Sequence, residues 1–126
     1  MKKFNLDITK KIQVTEQDID DIMCAALEGG ITYWARAAKV VGDYLGEYGH
    51  EQIARGGKLI IVDAEDGEKY ELTREKLLRG IQLAVEQEYY EDYDWYYDGK
   101  LDTCMIDAEV ADVIVQLALF DEVVFG

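Results

Sequence analysis

The chain has 126 residues, 49% of them apolar and none proline, which is the length and hydrophobic content of one domain with one core. Its net charge is −14, from 27 acidic and 13 basic residues, and this argues against direct binding to DNA or RNA, whose phosphates reward lysine and arginine. No apolar run approaches the ~20 residues of a membrane helix, and the opening MKKFNLDITKK lacks the apolar stretch of a secretory signal. A cytoplasmic location in the host cell is therefore expected, with no membrane partner.

Residues 4 to 14 place Phe4, Leu6, Ile8, Ile12 and Val14 at even positions, which predicts a strand with one buried face. Thr15 then opens TEQD, a helix-start signal with an acid at the third helical position. Ile19, Ile22, Met23, Ala26 and Leu27 follow at helical spacing, until Gly29-Gly30 stops the helix. The next segment puts Ile31, Trp34, Ala35, Ala38, Val41 and Leu45 on one helical stripe. Gly42, Gly46 and Gly49 weaken that stripe, so helix is expected to about residue 41 and irregular structure after it. Residues 58 to 72 predict a hairpin: LIIV is a β-branched run, Asp66-Gly67 supplies the turn, and Tyr70 and Leu72 alternate on the return. Thr73 caps a further helix with Leu77, Leu78, Ile81 and Val85 on its apolar face. Asp107 caps the last one, AEVADVIVQLALF, whose only polar stripe is Glu109, Asp112 and Gln116. Most of its circumference should be buried. The closing DEVVFG could add a short strand.

ALEGGITYWARAAKVVGDYL, the GGKLIIVDAEDGEKYELT hairpin, the LLRGIQL helix and the ending DAEVADVIVQLALFDEVVFG together resemble a family of small acidic proteins of phages and mobile elements of gut Firmicutes. The likeness spans most of the chain. It implies a genomic context, in which anti-defence and anti-CRISPR proteins occur. It brings no catalytic residues with it.

The compositional break lies between the last two helices. Residues 86 to 102, EQEYYEDYDWYYDGKLD, hold seven acids against Lys100 alone, a local charge of −6, together with five tyrosines and Trp95. Repulsion alone would leave such a segment extended. Rings that bury on the order of 150 Å² each give it a reason to fold back, so the rings should anchor on the body and the carboxylates should point outward. Three readings follow. One is a solvated acidic loop. Another is a protein-binding surface of Glu88, Glu91, Asp92, Tyr93, Asp94, Trp95 and Asp98, matched to an Arg/Lys-rich groove as a mimic of nucleic acid. The last is a metal site on Asp92, Asp94 and Asp98. That spacing is part of an EF-hand loop, but Tyr96 and Tyr97 stand where its fifth-position ligand and sixth-position glycine belong, and Thr103 stands in place of its final glutamate. No tight calcium or magnesium site is expected.

The remaining candidates read as structural. Gly29-Gly30 has neither a G-x-G-x-x-G pattern nor a phosphate-binding lysine, and predicts a helix–helix corner with Trp34 in the core. His50, the only histidine, should lie exposed on GEYGHEQ. Cys24 and Cys104 are expected as two buried thiols, and with His50 they fall short of a zinc set. Asp18 favours the N-terminus of the first helix, while Asp20, Asp21 and Glu28 should form a solvated face.

These readings converge on a single α+β domain over residues 1–126. It should pack three to four helices on a small, mainly antiparallel sheet from residues 4–14, 58–63 and 68–72. The expected function is non-enzymatic: inhibition of a host nucleic-acid-binding defence protein, a CRISPR effector or restriction enzyme, with no cofactor and no catalytic residue. A homodimer is allowed by the pattern. The alternatives are a phage structural or accessory protein whose acidity only maintains solubility, and a small metal-dependent enzyme.

Overall fold

A computed structural model describes Lys2, Phe4 and residues 11 to 126. Helix α1 (Glu16–Ala25) starts where Thr15 accepts the backbone N–H of Asp18 at 3.0 Å while Asp18 accepts that of Thr15 at 2.9 Å. This reciprocal box satisfies two donors that the first helical turn leaves unpaired. The helix loosens into a π-helical turn, Ala26–Gly30, and the chain then enters strand β1 (Ala35–Val40). Strands β2 (Leu59–Asp63) and β3 (Lys69–Leu72) form the expected hairpin, and β2 is central in an antiparallel sheet of order β1-β2-β3. Helix α2 (Arg74–Glu86) follows, capped by Thr73, and helix α3 (Ala108–Phe120) closes the core, capped by Asp107. Between them Tyr96–Tyr97 (β4) and Lys100–Leu101 (β5) make a second, two-stranded sheet. The class is α+β, as expected, with three α-helices and two small antiparallel sheets.

The stretch read as a second helix is β1. Its alanine content favours helix, and pairing with β2 from Leu59 to Asp63 overrides that preference. An irregularity explains why the strand was hard to read. Ala35 pairs with Asp63 and Ala37 with Val62, so Arg36 is an inserted residue, a bulge that breaks the two-residue alternation. Gly29-Gly30 accordingly makes a helix-to-strand corner. Trp34 is in the core there, 3% exposed.

Among the described residues the sheet's third member is β1, and residues 11–14 of the strand expected over 4–14 do not join that sheet. Residues 5–10 lie outside the described residues, and over 11–14 the chain makes one parallel bridge, Gln13 with Lys100. The closing DEVVFG is not a strand either. It packs its one ring instead, Phe125 stacking on Trp34 at 4.7 Å between centroids.

Helices α2 and α3 meet at Gly80. A methyl group there would collide with the carbonyl of Ile114 and lie 2.9 Å from the backbone nitrogen of Ala118, so no side chain fits between the two helices. That contact turns α2 relative to the expected face. Leu77, Gly80, Ile81 and Ala84 are buried, whereas Leu78 is 39% exposed beside Ile12 and Val14. The two thiols also depart from expectation: Cys24 is half-buried and Cys104 exposed. His50 is half-buried and stacked on Tyr48. Among the acids of α1, Asp21 accepts the hydroxyl of Thr103 at 2.8 Å, and Asp20 is half-buried 3.6 Å from Arg55. Neither belongs to a freely solvated face. Among the described residues no helix is long and apolar enough to cross a membrane.

Candidate functional site

The acidic segment is built around one ring. Trp95 is 0% exposed, and its indole N–H donates to the carbonyl of Tyr89 at 2.9 Å. Tyr96 packs edge-on against it at 4.7 Å, and Tyr90 and Tyr93 pack on each other at 4.9 Å. Tyr89, Tyr90, Tyr93 and Tyr96 are half-buried, and only Tyr97 is turned out to solvent, at 78% exposure. Asp98-Gly99, both with positive φ (53° and 75°), turns β4 into β5. This is the Asp-Gly pair that a two-residue hairpin favours, and it is the sequence signal from which the second sheet can be read. Glu88, Tyr90 and Asp94 also adopt left-handed backbone, at φ of 58°, 52° and 57°. Such conformations strain residues other than glycine and persist where packing imposes them. Here the rings impose them.

The carboxylates lie on the outside of this scaffold. Glu88, Glu91, Asp92, Asp94 and Asp98 are all exposed, and none of them takes part in an ion pair among the described residues. Their field reaches the rings beneath. Burial raises the phenol pKa of Tyr96, and the charges of Glu91 and Glu88 raise it further. Burial likewise raises Tyr93, with Glu109, Asp107 and Asp92 adding to it. Of the seven residues predicted to meet a partner, six are exposed or half-buried on one segment. Trp95 is the correction: it is wholly interior and cannot touch a partner, because it is the anchor that holds the others. Asp92, Asp94 and Asp98 do not converge, and no group of three or more His, Cys, Asp or Glu among the described residues is arranged to hold a metal ion.

A second polar feature lies beside this segment, on the one polar stripe that the sequence marks on α3. Asp112 is 8% exposed and Gln116 0%. The carboxylate of Asp112 accepts the Tyr33 hydroxyl at 2.6 Å, the Trp34 indole N–H at 2.8 Å and the Gln116 amide at 2.9 Å. The carbonyl oxygen of Gln116 accepts the backbone N–H groups of Val124 and Phe125, each at 2.8 Å. The network therefore ties α3 to β1's entry and to the closing segment. Its signal in the sequence is an acid and an amide four residues apart inside an otherwise apolar helix. Such a pair shares one helix face and, once buried, needs internal partners.

Above the network opens a cleft of about 480 Å³, lined by Tyr33, Tyr89, Tyr90, Glu109, Asp112 and Phe125 among others. Burial of the Tyr33 hydroxyl, then its bond to Asp112 and that residue's charge, push its pKa up to about 12. A phenol so held is no nucleophile near neutral pH. The folded state keeps this proton longer than the unfolded chain does. Below about pH 10, where unfolded tyrosine ionises, the contribution to stability is fully present. It is lost as pH rises toward about 12. Phenolate absorbance should thus still be rising at about pH 12, and that late rise should be smaller in Tyr33→Phe. A Tyr33→Phe titration that overlays the wild type would contradict the assignment.

No protein-family model matches the chain, and no curated protein or solved structure is significantly similar to it.

Proposed function

We propose that the chain is a non-enzymatic binding protein of a phage or mobile element that occupies the basic groove of a host nucleic-acid-binding defence protein. The target class is a CRISPR effector or a restriction enzyme. The observation that carries this reading is the pairing of five exposed carboxylates, without ion-pair partners among the described residues, and a wholly buried tryptophan beneath them. Charge that only maintains solubility needs no scaffold. A scaffold matters when carboxylates must be held where phosphates would lie, because ordering them beforehand lowers the entropy lost on binding. Unpaired surface charge also attracts a cationic groove over a Debye length of ~8 Å at physiological salt, and clustered charges act together over that range.

The test neutralises Glu88, Glu91, Asp92, Asp94 and Asp98 to Gln or Asn, which keeps their size. The fold should survive, since exposed substitutions usually change stability by under ~0.5 kcal/mol each. Capture of the basic partner from host lysate should collapse, mainly through slower association, and capture by the unaltered protein should weaken with salt. With the partner purified, the protein should displace its DNA or guide RNA. A partner that binds its nucleic acid undisturbed while holding this protein sinks the proposal.

A further inference from the structure

The cleft between Tyr33, Tyr90 and Glu109 is the feature that the acidic face leaves unused. Its walls are aromatic: Tyr33, Tyr89, Tyr90 and Phe125 all line it. Glu109 stands at its rim, exposed, and Asp112 lies at its floor. Among the described residues no lysine, arginine or histidine lines it. The floor carries an unusual electrostatic feature. Asp112 is buried and accepts three hydrogen bonds, yet all three donors are neutral, and no ion pair among the described residues includes it or Glu109. Buried charge is ordinarily matched by an opposite charge. Here the described residues supply no cation, and the space for one is open.

We propose that this cleft receives the guanidinium group of an arginine side chain supplied by the partner protein. The assignment rests on the binding-protein reading above and names the residue by which the partner is anchored. Three properties select arginine. A planar, weakly hydrated cation stacks on tyrosine faces and loses little on leaving water, whereas an ammonium is strongly hydrated. The guanidinium carries donors in a fork that suits a carboxylate, and Glu109 presents one. The volume, about 480 Å³, admits the whole side chain with its aliphatic stem against the rings. Tyr89 and Tyr90 belong both to this cleft and to the base of the acidic segment, so one partner can engage both at once.

The test uses the full chain and a single-residue probe, N-acetyl-arginine methylamide, followed by amide chemical shifts. Saturable shifts should appear at Gly29, Gly30, Tyr90 and Glu109, with a dissociation constant roughly in the millimolar range expected of one side chain. The citrulline counterpart, equal in shape and uncharged, should produce none, and the lysine counterpart should bind more weakly. Glu109→Gln, an exposed change, should weaken arginine binding roughly tenfold, the loss expected for one charge-assisted hydrogen bond. Tyr90→Leu keeps an apolar wall without the π face and should weaken it as well. Equal binding of citrulline, binding of lysine as tight as arginine, or indifference to Glu109→Gln would each overturn the assignment. Because the probe is one side chain, its failure removes the cleft alone. The acidic face stands or falls on partner capture by the five-carboxylate variant.

Discussion

Trp95→Ala will lower the stability of the fold by about 3–5 kcal/mol, the usual range for emptying a buried tryptophan site. The ring is 0% exposed, and its indole N–H is the partner of the Tyr89 carbonyl at 2.9 Å. Its own carbonyl accepts the backbone N–H of Asp102 at 2.8 Å, so the residue ties the two ends of the acidic segment together while its ring sits in the core. The truncation leaves a cavity under the segment and an unpaired carbonyl. It also loosens the packing around Glu88, Tyr90 and Asp94, which hold left-handed backbone. With a domain stability of ~5–15 kcal/mol, the loss is a large fraction of the whole. Chemical denaturation should show the midpoint falling, and hydrogen exchange should show protection lost across residues 88 to 102 before the rest. Trp95→Phe separates the two contributions. It fills most of the site and lacks the N–H, so it should cost only about 1–2 kcal/mol. Equal midpoints for the alanine variant and the wild type would show that the segment is not anchored through this ring.

That burial was only partly legible beforehand. Six rings among carboxylates in residues 89 to 98 announce that something anchors the segment, but they do not say which ring goes in. The choice depends on the space the packed elements leave in the core, a tertiary quantity. Local signals did better where one residue decides one element. Thr15, Thr73 and Asp107 each accept the backbone N–H three residues on, as their positions predict. Asp66-Gly67 lies in the turn of the β2–β3 hairpin, where Asp63 helps by accepting the N–H of Glu65 at 2.8 Å. The failures share a cause. Strand β1 was hidden because the bulge at Arg36 breaks the alternation and its alanines favour helix, so only pairing with β2 makes it a strand. Leu78 was placed on the buried face of α2 because apolar spacing cannot register that Gly80 lets α3 come closest one side away. The sequence marks Asp112 and Gln116 only as a polar stripe; their burial is not legible there because a polar residue is ordinarily exposed, and that rule fails where its polar atoms find internal partners.

The same network sets the other large effect. Asp112→Ala removes the one acceptor shared by Tyr33, Trp34 and Gln116, at 2.6, 2.8 and 2.9 Å. Tyr33 can turn its hydroxyl toward the Phe125 carbonyl, 3.3 Å away, and the Gln116 amide already has that carbonyl at 3.2 Å. The Trp34 N–H has no such alternative and is 3% exposed, so it is left unpaired in the core. Losing a charged acceptor and stranding a buried donor should together cost on the order of 3 kcal/mol. Asp112→Asn is the informative companion. It keeps the shape and can turn its oxygen to Trp34 and Gln116 with its NH2 toward the Tyr33 hydroxyl, but the charged acceptor and the short bond from Tyr33 are lost. It should therefore recover only part of the loss. The effect should also travel, since Gln116 positions the backbone N–H groups of Val124 and Phe125, and Phe125 stacks on Trp34. The near-ultraviolet circular dichroism of that Trp–Phe pair should fade in Asp112→Ala at temperatures where the helical signal persists. Full retention of the midpoint and of that aromatic signal would mean that Asp112 is a surface acid in solution, and the cleft would lose its charged floor.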